Sequence, residues 1–160
     1  MAPAEQNAEP ITQAGIEELK AELEELEGPK RIAMAARIKV ARDEGDLKEN
    51  AEYHIAKEDQ AHLETKIKRL RERLRTAVVV VVDGAADRFG FGRTAEVLDE
   101  EKGAVNIWTL VGSTEADLTE GRLSAESPIG QALMDAEPGK PVEVETPRGS
   151  RTFVVQKLLD

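Results

Sequence analysis

The sequence predicts an α+β protein: an N-terminal antiparallel coiled-coil helical hairpin, followed by a C-terminal antiparallel β domain with one short helix. Three observations carry this. Two highly charged segments before residue 76 each hold a narrow apolar seam of helical spacing. Their charges are opposite in sign. At residue 77 the apolar pattern changes from helical to strand-like.

The first arm starts at Thr12, a suitable N-cap. Ile16, Leu19, Leu23 and Leu26 follow at coiled-coil spacing. Gly28-Pro29 interrupts the pattern, and a kink or short break is expected because proline lacks the helix donor. The helix resumes through Ile32, Ala33, Ala36 and Val40, small residues expected to let a second helix approach. Gly45 is expected to cap the arm in a left-handed conformation. The second arm runs from about Leu47 to Arg75, with its seam at Leu63, Ile67, Leu70 and Leu74.

Neither seam stays dry alone, so the arms should pair. Residues 17–27 carry six glutamates against Lys20, and residues 66–75 carry six basic side chains against Glu72. A reversal near Gly45 lays these stretches side by side. Exposed pairs contribute only about 0–1 kcal/mol each, so the seam carries most of the stability. At 1.5 Å per residue each arm is about 45 Å long, which holds the acidic turn at residues 43–53 far from the base.

The second half begins with the β-branched run Ala77–Val82, bounded by Asp83-Gly84. Thr94–Leu98 and Ala104–Val111 are strands around a turn at Asp99–Gly103, and Arg122–Ala125 is another short one. Ser127-Pro128 has the serine-then-proline signature of a helix start, with the helix running to about Ala136. Pro141–Thr146 and Arg151–Leu158 form a last hairpin. The domains are therefore a disordered tail at 1–10, a hairpin at 11–76 and a β domain at 77–160.

Composition narrows the function. The chain has 160 residues, 34 % of them charged, and no cysteine, which excludes disulfides and thiolate metal sites. No run of 18 apolar residues predicts a membrane helix, and residues 1–10 do not resemble a signal peptide. A cytoplasmic home is expected. The net charge is −10; residues 1–76 hold 17 acidic and 14 basic side chains, residues 77–160 hold 15 and 8. Binders of free nucleic acid usually present a basic face. A protein partner is the better expectation, with any nucleic-acid contact confined to the first half.

Residues 41–54, Ala-Arg-Asp-Glu-Gly-Asp-Leu-Lys-Glu-Asn-Ala-Glu-Tyr-His, closely resemble the tip motif of the bacterial transcript cleavage factors of the GreA/GreB family. Residues 110–117 and Ser127–Leu133 resemble the family's second and third segments, in the right order. The acidic total and residues 48–58 suit GreA better than GreB. The resemblance implies a coiled coil followed by an FKBP-like domain that docks on RNA polymerase near its secondary channel. The hairpin then reaches the active centre, where the polymerase is stimulated to cut the 3′ end of backtracked RNA. It also implies a monomer that is not itself an enzyme, and it matches the family's two essential acids to Asp46 and Glu49.

The chemistry suits these residues. Phosphodiester hydrolysis needs an activated water and neutralised charge, which two Mg²⁺ ions supply. Mg²⁺ takes one or two protein carboxylates and keeps several waters. Asp46 and Glu49, three apart at a helix start, are expected to face one side and to share an Mg²⁺ held in the polymerase active centre, not by the free protein. Asp-x-x-Glu before a helix is equally the pattern of a capping box. Arg42, Asn50, Tyr53 and Lys57 are expected contacts to RNA or polymerase; for Tyr53, packing between the helices is the alternative. A Gre-fold polymerase inhibitor without cleavage activity is the alternative function. A prolyl isomerase, suggested by the FKBP-like resemblance, needs an aromatic pocket that Phe89, Phe91, Trp108 and Phe153 hardly supply.

Overall fold

The structure, a computed structural model, describes residues 8–46, 50–81 and 87–159. It is α+β and divides into two compact units. One takes in Ile16–Ala77, the other Glu9–Gly15 together with Val78–Asp160.

The hairpin unit has one long first arm: α1 (Gln13–Glu25), a π-turn (Leu26–Lys30) and α2 (Arg31–Asp43). The second arm is α3 (Ala51–Thr76). Thr12 caps α1, its Oγ1 accepting from the Gly15 N–H at 2.9 Å. The break expected at Gly28-Pro29 is the π-turn, and backbone angles stay helical on either side of it. Proline has no N–H to give the carbonyl four residues back, and the wider turn absorbs the mismatch with one extra residue.

That extra residue moves the seam. Continued without it, the spacing Ile16, Leu19, Leu23, Leu26 leads to Lys30, Ala33, Arg37 and Val40. With it, the seam passes to Arg31, Met34, Ile38 and Ala41, of which Ile38 and Ala41 are buried and the other two half-buried. The expected seam through Ile32, Ala33, Ala36 and Val40 is therefore wrong; Ile32 is 72 % exposed and Val40 60 %. On α3 the predicted seam holds, with Ile67 and Leu70 buried and Leu63 and Leu74 half-buried, and it extends through Ala56 to Tyr53.

Ion pairs join the arms. Glu22–Lys66 (3.1 Å) and Glu27–Arg71 (2.6 Å) have the predicted polarity. Beyond the π-turn the polarity reverses, in Arg31–Glu64 (2.8 Å) and Arg37–Asp59 (2.6 Å). Later positions on α2 meet earlier ones on α3, as an antiparallel hairpin requires. The Arg31 guanidinium donates two hydrogen bonds to Glu64 and holds that carboxyl below its usual range.

In the second unit, β1 (Glu9–Ile11) pairs with β2 (Ala77–Val79) in a two-stranded sheet. Glu9 and Pro10, assigned by sequence to the tail, are thus strand residues, and the run predicted over Ala77–Val82 is a strand only to Val79. The main sheet has five strands in the order β5-β4-β3-β7-β6: β3 (Thr94–Asp99), β4 (Ala104–Val111), β5 (Arg122–Ser124), β6 (Pro141–Thr146) and β7 (Gly149–Leu158). It is not wholly antiparallel. β5 runs parallel to β4 because the chain crosses back through a 3₁₀ turn at Leu118–Glu120 before pairing. Short helix α4 (Pro128–Leu133) starts as the sequence predicts, Ser127 Oγ accepting from Gly130 N–H at 3.0 Å, but ends earlier than Ala136. Phe89, Val97, Leu110, Leu133, Phe153 and Val155 are the heart of the core.

Candidate functional site

The hairpin tip is built from the ends of α2 and α3. The last turn of α2 closes on Glu44, whose N–H donates to the Ala41 carbonyl at 3.4 Å. Gly45 follows at φ 144°, in the positive-φ region that favours glycine. Arg42, Asp43, Glu44 and Asp46 are all exposed.

The described α3 begins at Ala51, with Asn50 as its N-cap. Asn50 Oδ1 accepts from the Tyr53 N–H at 3.0 Å, and its Nδ2 donates to the Ala41 carbonyl. Asn50, not Asp46, thus caps the described part of the second arm. Glu49 lies outside the described residues.

The other predicted contacts are dispersed. Arg42 is on the exposed last turn of α2. Tyr53 is half-buried in the seam, its ring edge-on to that of His54 at 5.6 Å, which favours its packing role. Lys57 is one turn further along α3 and donates to Gln60 at 3.1 Å. Asn50 is half-buried and engaged with both arms.

The tip carries a shallow concavity of about 320 Å³ lined by Glu44, Gly45, Asp46, Asn50, Ala51 and Glu52. Three carboxylates therefore border one hollow. Glu52 had no role in the sequence reading. Glu52 also borders a larger groove of about 480 Å³ beside Ala36, Val40 and Ile55. Among the described residues no group of three or more His, Cys, Asp or Glu side chains is placed to hold a metal ion. The donor set suits a shared Mg²⁺, since the exposed Asp46 offers a hard carboxylate oxygen and Mg²⁺ accepts one or two such ligands. Among the described residues no helix is long and apolar enough to cross a membrane.

Comparison with known proteins matches this layout. Residues 9–79 match a family model described as transcription elongation factor, N-terminal, and residues 84–159 one described as transcription elongation factor, GreA/GreB, C-term. The chain is 41 % identical over 148 residues to transcription elongation factor GreA of Thioalkalivibrio sulfidiphilus, covering 91 % of this chain and 94 % of the relative. It is 37 % identical over 155 residues to GreA of Bacillus subtilis, covering 97 % and 99 %. Among solved structures, GreA factor homolog 1 of Thermus thermophilus is 26 % identical, with a TM-score of 0.43 and coverage of 96 % and 99 %.

Proposed function

The chain belongs to the GreA/GreB family of transcription elongation factors, and from that premise we propose that it binds bacterial RNA polymerase at the secondary channel and stimulates the polymerase's own cleavage of backtracked RNA. One observation carries the reading: a paired-helix arm ends in the exposed carboxylates of Asp43, Glu44 and Asp46. Such an arm has reach, and the chain's net charge is −10. It suits a substrate already held by another protein, here the 3′ end of RNA inside the polymerase. The factor is a cofactor of that hydrolysis, not an enzyme alone. It acts as a monomer, and in the cytoplasm where the polymerase works.

Asp46 and Glu49 are the residues for the chemistry. When bound, a polymerase-held Mg²⁺ supplies charge neutralisation at phosphorus and lowers the pKa of an attacking water. Asp46 contributes a carboxylate oxygen toward that ion, and Glu49 orients the water or takes its proton. Arg42 and Lys57 flank the tip and bear on RNA phosphate or acidic polymerase side chains.

Asp46→Asn and Glu49→Gln variants, assayed on stalled backtracked complexes, test this. Cleavage is expected to fall at least about 100-fold with polymerase binding retained. Melting should change little, since the helix cap at Asn50 is untouched. Unchanged cleavage sinks the assignment. The ring of Glu44, Asp46 and Glu52 around one hollow gives the inhibitory alternative its footing; slowed elongation without RNA shortening would establish it.

A further inference from the structure

Asn50 bonds both arms of the hairpin with one side chain. Oδ1 accepts from the Tyr53 N–H at the start of α3, and Nδ2 donates to the carbonyl of Ala41, a buried residue in the last turn of α2. The partners set the amide orientation, because a peptide N–H only donates and a carbonyl only accepts. Capping needs only the acceptor half, and Asp or Ser caps a helix as well as Asn does. The donor half exceeds what a cap requires. It ties the end of one arm to the beginning of the other.

We propose that Asn50 is a positioning residue for the cleavage reaction. Its side chain clips the last turn of α2 to the first turn of α3, the two elements beside the reactive carboxylates. This rests on the reading of the hairpin as a cleavage-stimulating arm. It gives Asn50 a role within the chain, beside the contact to RNA or polymerase expected from the sequence. Displacement of catalytic groups by about 1 Å costs on the order of 100-fold in rate.

Asn50→Asp retains the cap acceptor and loses the donor; Asn50→Ser keeps an acceptor, adds no charge to the tip, and replaces the amide's separate donor and acceptor atoms with one shorter hydroxyl. In the isolated protein, the carbonyl ¹³C resonance of Ala41 is expected to move while the Tyr53 amide resonance and the melting temperature hold. On backtracked polymerase, the factor concentration for half-maximal effect stays at the wild-type value. The maximal cleavage rate falls about ten- to 100-fold. Wild-type maximal rates in both variants would overturn the proposal. So would a rise in half-maximal concentration matching the loss of rate, which marks Asn50 as a partner contact. If the wild-type protein stimulates no cleavage, the functional reading fails, and the carbonyl resonance alone decides the clip: an unmoved Ala41 signal disproves it.

Discussion

The Glu115 carboxylate receives both the backbone N–H of Thr12, at 3.1 Å, and the Thr12 hydroxyl, at 2.5 Å. The same carboxylate accepts from the Gly112 N–H at 3.1 Å. Residues 103 positions apart are thus locked at the entrance to α1, and Thr12 passes the order on by capping Gly15.

This lock makes Gly15 unusual. Glycine to alanine inside a helix normally gains about 1 kcal/mol. At Gly15 a Cβ would lie 2.0 Å from Glu115 Oε1 and 2.9 Å from Ile11 Cγ1. The carboxylate cannot swing away without abandoning its three donors. Gly15→Ala is expected to destabilise by about 1–3 kcal/mol. In a Glu115→Ala background, itself destabilised by a similar amount, the cost of Gly15→Ala should largely vanish. Denaturant unfolding of the four proteins checks this, and strictly additive effects would contradict it.

The π-turn predicts an inverted mutational pattern on α2. Ile38 is 5 % exposed, so Ile38→Ala should cost about 2–4 kcal/mol. Ile32→Ala and Val40→Ala remove exposed side chains and should stay within about 0.5 kcal/mol. A continuous α-helical register would make Val40 costly instead. Thermal unfolding followed by far-UV circular dichroism separates the two.

A second close approach lies in the segment Ser127–Leu133. A Cβ on Gly130 would stand 1.9 Å from the backbone oxygen of Ser124, which cannot move aside as a side chain can. Gly130→Ala should therefore cost about 1–3 kcal/mol, as overpacking does, although it raises helix propensity. Equilibrium unfolding in urea measures it.

What the sequence disclosed follows from what is local. The Thr12 and Ser127 caps, the α3 seam and the β6–β7 hairpin each depend on neighbours within a few residues, and all were legible. The α2 seam was not, because one inserted residue leaves both flanking patterns intact while rotating one against the other. β1 is three residues whose strand character exists only through pairing with β2, more than 60 positions away. The parallel β5 is equally short. At the tip, the Asn50 cap was not legible, because that side chain shows its role only when Ala41 is beside it.

Asp99 supplies a prediction about pH. It is 2 % exposed, at the end of β3. Burial alone would push its carboxyl up. The Lys102 N–H, the Arg151 guanidinium and the Glu101 N–H outweigh burial and hold the carboxyl below its usual range. Arg151 is steadied in turn by the Phe153 ring, 5.0 Å away. A carboxylate depressed in the folded state adds stability above its unfolded pKa, about 3.9, and that stability is lost as pH falls through the lower folded value. The β domain should therefore weaken as pH drops below about 4. Asp99→Asn keeps a side-chain oxygen for the turn but loses the charge. It should cost about 2 kcal/mol at neutral pH and flatten the acid limb of the stability profile. Urea midpoints between neutral pH and acid test it, and an unchanged acid limb in Asp99→Asn would show that another carboxylate carries the effect.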